Sequence, residues 1–126
     1  MRVAMTQESL DALNVDELVA AFAETCLVQD KELRSFRLHK RPELLYRIIG
    51  IADELRKRGH DAQLTLTRLY DHPCMQVRLK AARYTFAVAP LPARQILEKI
   101  ANFGHMPQAA EARATLRHID EGTFMD

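Results

Sequence analysis

Apolar residues recur along this chain at helical rather than alternating spacing. Leu18, Phe22 and Cys26 stand four apart, with Val19 and Leu27 beside them and Leu33 and Phe36 closing the run. A period near 3.6 marks a helix. Asn14 and Glu17, just ahead of the run, have the capping-box spacing in which each side chain can satisfy the other residue's backbone N–H. The pattern predicts a first helix over 14–36, with residues 1–13 a loose lead-in or a short extra turn. Pro42 suits the start of a second helix, where its missing N–H costs nothing. Leu44, Ile48, Ile51, Ala52 and Leu55 form its stripe, and Leu45 and Ile49 widen it towards a second buried side. Arg56, Lys57 and Arg58 complement the negative helix end, and Gly59 stops it.

Asp61, read as a cap, predicts a short third helix through Leu64, Leu66 and Leu69, ended by the turn Tyr70-Asp71-His72-Pro73. The next segment carries Val77, Ala81, Tyr84 and Val88 on one face and Leu79, Ala82 and Phe86 on another, as in a helix between two neighbours. Pro90 and Pro92 open a fifth helix with Ile96, Leu97, Ile100 and Phe103 inward, stopped by Gly104. Pro107 opens a sixth, with Ala109, Ala112, Leu116 and Ile119 inward and Gly122 as its stop. Six helices result, paired first with second, third with fourth, fifth with sixth.

The pairs repeat. His39, His72 and His105 stand 33 residues apart, each shortly before a proline. The same offset pairs Leu33 with Leu66, Phe36 with Leu69, Leu44 with Val77 and Leu55 with Val88, and aligns Ile48, Ala81 and Ala114. In the third unit the apolar register slips by a residue or two. Three stacked hairpins would bury one continuous core. The expected fold is all-α, an α-α superhelix of about six helices in three hairpins, with residues 14–126 as its one domain.

The segment LYDHPCMQVRLKAA, Leu69 to Ala82, resembles a HEAT repeat in its first-helix Leu, turn Asp, Pro, and Val-Arg followed by Ala-Ala. The resemblance implies that Asp71 and Arg78 form a structural turn pair. Neither has a counterpart in the third unit, where Asn102 and Ala109 or Ala110 stand instead. Taken with LVAAFAET, FAVAP, PQAAEA and IDEG, the chain resembles over nearly its whole length an uncharacterised bacterial family. That family is a domain of unknown function with a HEAT/armadillo-like superhelix. The likeness implies the fold and no catalytic residue.

Charge adds a location. The chain is nearly neutral, at +1, which disfavours a general nucleic-acid binder. Residues 1–30 nevertheless hold one basic and six acidic side chains, and residues 31–60 nine basic and four acidic. Arg34, Arg37, Lys40 and Arg41 cluster around the first turn, with Arg47 a little further on. Such a cluster suits an acidic protein surface or a phosphate; its plainer reading is a solvated rim. Aromatic residues are only 6% and Trp is absent, which weakens any base-stacking platform.

Other chemistry is sparse. Histidines on successive helical units, roughly 10 Å apart, would not converge on one metal ion unless the loops bent. His72, Cys74 and His105 are the residues a small metal-dependent enzyme would use; turn residues and a half-buried structural thiol are the simpler reading. Cys26 and Cys74 are too few and too far apart for a disulfide framework or zinc motif, and suit a reducing cytosol. Motifs for nucleophile elbows, zinc proteases and phosphate loops are missing. With no leader-like start and no run near 18 apolar residues, a cytoplasmic location without a membrane span is expected. The reading favours a non-catalytic protein-interaction module, regulatory or toxin-neutralising in kind, with no cofactor. Its partner would be a protein, acidic where it meets the basic turn, with nucleic acid the weaker alternative. The two exposed ends of the stack also leave a homodimer open.

Overall fold

The computed structural model describes residues 7–35 and 41–124. Among them the fold is all-α: seven α-helices and one 3-10 segment, with no strand. The helices are α1 (Gln7–Asp11), α2 (Val15–Arg34), α3 (Pro42–Lys57), α4 (His60–Leu64), α5 (Met75–Thr85), α6 (Pro90–Phe103) and α7 (Gln108–Glu121). The 3-10 segment, Thr65–Asp71, follows α4 directly. Two compact units divide the chain, Met1–Thr65 and Leu66–Asp126.

In the first unit α2 and α3 pack against each other. The predicted capping box begins α2: Glu17 N donates to Asn14 Oδ1 at 2.8 Å, and Asn14 N donates to Glu17 Oε1 at 2.9 Å. Replacing Asn14 by alanine removes the first of these bonds and should lower stability by about 1 kcal/mol, read from denaturant melts. Leu18, Phe22 and Cys26 of α2 and Ile48, Ile51 and Leu55 of α3 are fully buried. The lead-in forms a short extra turn, α1, whose Leu10 is buried. Arg58 secures that turn by donating from Nη2 to the carbonyls of Leu10 (2.9 Å) and Asp11 (3.2 Å). Its Nε meets the buried Glu54 carboxylate at 2.8 Å.

Expectations for α2, α3 and the third helix change. The predicted second buried side of α3 is not closed, since Leu45 is exposed and Ile49 only half-buried. Leu33 is also exposed at the end of α2, and Phe36 lies outside the described residues. The third helix divides in two. Gly59, at φ 116°, precedes α4 in the capping position, and Asp61 stands exposed inside the helix. The Thr65 hydroxyl donates back to the Ala62 carbonyl where α4 gives way to the 3-10 segment. Such back-bonding competes with regular helix geometry.

The second unit packs α5 against α6, and α6 against α7. Leu79, Ala82, Ala93, Leu97, Ile100, Ala101 and Ala112 form its core cluster. Val77, Leu79, Ala81 and Ala82 of α5 are all fully buried. Gly104 (φ 82°) and Gly122 (φ 75°) end α6 and α7 in the left-handed region, where a side chain would be strained. Beyond Gly122 the chain folds back, and Phe124 packs edge-on against Phe86 and lies beneath the Arg83 guanidinium. Phe103 departs from its predicted inward place and is 72% exposed. It shares the azimuth of Ile96, seven residues earlier, roughly 100° away from Leu97 on a regular helix.

Candidate functional site

The first turn carries the basic cluster. Arg37, Lys40 and His39 lie outside the described residues; Arg34, Arg41 and Arg47 lie within them. Arg34 ends α2, 73% exposed along its side chain, and its Nε meets Asp30 at 3.2 Å. Arg41 precedes α3 and holds two carboxylates, Glu43 at 3.0 Å and Glu32 at 3.5 Å. The Arg41 hydrogen bond keeps the Glu43 carboxyl below the usual carboxylate range. Charge at this turn is therefore mixed rather than uniformly positive. Leu27 and Leu33 of α2 and Leu45 and Tyr46 of α3 are exposed.

The His72 turn is built by local hydrogen bonds. Cys74 N donates to His72 Nδ1 at 3.0 Å, which places the neutral imidazole's proton on Nε2. Arg78 braces the same turn. Its Nη1 donates to the carbonyls of His72 (2.7 Å) and Pro73 (3.1 Å). The turn bracing expected of Asp71 and Arg78 thus runs from Arg78 to backbone oxygens. Both cysteines are free thiols, Cys26 buried and Cys74 half-buried; His105 is exposed. Among the described residues no group of three His, Cys, Asp or Glu side chains is placed to hold a metal ion.

Beside this turn lies an open pocket of about 300 Å³. Tyr70 and Asp71 end the 3-10 segment at one wall, Met75 and Arg78 of α5 form another, and Ile96, Lys99, Ile100 and Phe103 of α6 complete it. The four α6 residues stand at positions i, i+3, i+4 and i+7, one face of a helix. Burial pushes the Tyr70 phenol above its ordinary pKa, partly offset by its hydrogen bond to the Thr85 hydroxyl.

Sequence reasoning missed a buried polar seam between α5 and α7. Lys80, only 8% exposed along its side chain, meets Glu111 at 2.7 Å. Gln108 Nε2 donates to Gln76 Oε1 at 2.8 Å, both residues being buried. The signal was present: Gln76 and Lys80 stand one helical turn apart beside Val77 and Ala81, and Gln108 and Glu111 follow close to the 33-residue offset. No helix among the described residues is long and apolar enough to cross a membrane.

Comparison with known proteins gives a family and a structural relative. A crystal structure of the protein RPA1889 from Rhodopseudomonas palustris CGA009 matches with a TM-score of 0.87 at 39% sequence identity, covering 93% of this chain and 97% of that one. No curated protein matches. The family model for the domain of unknown function DUF2019 spans residues 16–120, from the first turn of α2 nearly to the end of α7, and the chain belongs to that family.

Proposed function

We propose that the chain is a non-catalytic protein-interaction module of HEAT-like hairpins, working in a bacterial cytoplasm, whose first hairpin presents the contact surface. One observation carries this reading. Four large apolar side chains, Leu27, Leu33, Leu45 and Tyr46, stand exposed on the two arms that flank the basic turn. Protein interfaces favour aromatic residues and arginine over lysine and acidic side chains, and exposed apolar side chains grouped with them mark such surfaces. The carboxylates paired with Arg34 and Arg41 make the rim mixed in charge, which bears against nucleic acid. A nucleic-acid surface concentrates positive charge, whereas a mixed rim around apolar side chains suits a protein partner.

The test is affinity capture of the tagged chain from its own host after nuclease treatment, comparing wild type with Arg37→Glu/Arg41→Glu. The expected result is one near-stoichiometric protein in the wild-type sample, depleted at least about tenfold by the double substitution. Capture of nucleic acid before nuclease treatment, with no protein retained afterwards, would overturn the reading.

A further inference from the structure

We propose that the pocket of the second unit docks a segment of a partner protein in which a bulky apolar side chain stands next to a carboxylate. This site uses none of the residues of the first hairpin. The α6 face gives it an apolar wall: Ile96, Ile100 and Phe103, with Met75 of α5 opposite in the lining. Phe103 is 72% exposed, so an aromatic ring sits in water at the pocket rim, where covering it would be favourable. The volume, about 300 Å³ and open to solvent, lies at the lower bound of enclosed small-molecule sites, roughly 300–1,000 Å³. It suits one or two side chains of a peptide.

Charge selects the peptide. Two cations, Arg78 and Lys99, line the pocket against one carboxylate, Asp71. The Arg78 hydrogen bonds go to two backbone carbonyls rather than to a carboxylate. Among the described residues no ion pair engages Lys99; the neighbouring Glu98 is bound to Arg94 at 3.1 Å. The Tyr70 hydroxyl is already taken by Thr85. An incoming carboxylate would meet Lys99 at the exposed edge while the apolar side chain enters beside Phe103, and a basic peptide would be repelled.

A random-hexamer display library, selected on the intact wild-type chain and separately on Lys99→Glu and Phe103→Ala, tests this. Both substitutions lie at exposed positions, and circular dichroism verifies that each variant folds. Wild type should enrich hexamers with Phe, Leu or Met beside Asp or Glu by at least about tenfold. Lys99→Glu should exchange the acidic preference for a basic one, and Phe103→Ala should abolish the enrichment. No enriched pattern on wild type, or a pattern unchanged in both variants, would overturn the proposal. So would a wild-type dimer that Phe103→Ala dissociates, because the face would then belong to a second copy of the chain. Loss of the first-hairpin partner in the capture experiment leaves this result unaffected, so the two proposals fail separately.

Discussion

Replacing Phe22 by alanine should lower the stability of the chain by about 3–5 kcal/mol, measured by urea unfolding followed by circular dichroism. Phe22 is the largest of the fully buried side chains. It lies mid-helix in α2, which packs on α3, and Leu18, Cys26, Ile48 and Ile51 in the same unit are likewise closed to solvent. Truncation removes most of an aromatic ring from a packed interior. The loss adds the transfer energy of the ring to the cost of the cavity left behind, because close-packed neighbours relax only in part. Leu33→Ala, on the same helix but 47% exposed, should change stability by no more than about 0.5 kcal/mol. Equal losses for the two substitutions would mean that α2 buries a different face.

Leu97→Ala should cost about 3–5 kcal/mol in the second unit, by the same measurement. Leu97 is fully buried in a cluster whose other members are mainly small: Ala82, Ala93, Ala101 and Ala112, with Leu79 and Ile100. Alanines let helices approach closely, yet they have no rotamers with which to fill a vacancy. The cavity should therefore persist, which puts the loss towards the upper part of the range for leucine truncations. A loss below about 1 kcal/mol would show that α6 moves to close the space.

The helices were legible in the sequence where local signals agreed. Asn14 and Glu17 cap α2 as their spacing implied, Pro42 and Pro90 open α3 and α6, and Gly104 and Gly122 stop α6 and α7. The burial of Leu44, Ile48, Ile51 and Leu55 follows their one-face spacing. Periodicity could not decide which of two adjacent apolar faces meets a neighbour. Leu45, Ile96 and Phe103 each belong to a second face, and their exposure or partial burial depends on what packs beside the helix. Helical type was similarly hidden at Thr65–Asp71, because a 3-10 turn and an α-turn bury leucines at similar spacing.

The candidate sites were less legible for a related reason. Clustering along the chain located the basic turn, and Asp30 stands one helical turn from Arg34 and Glu43 two residues from Arg41, but the contact of Arg41 with Glu32 became apparent only in three dimensions. The pocket draws on three segments, ending with Phe103 more than thirty residues after Tyr70. Only the turn Tyr70-Asp71-His72-Pro73, legible before Arg78, announced one of its walls. The burial of Lys80 against Glu111 depends on the placement of α7.

The most direct test of the interaction reading is amide hydrogen exchange of the intact chain with and without its captured partner. Slowed exchange is expected in the second half of α2, the first turn and the first half of α3, centred on the segment between Leu27 and Tyr46 and absent for Arg37→Glu/Arg41→Glu. Protection spread evenly over the chain, or confined to α7, would contradict the assignment of the first hairpin as the contact surface.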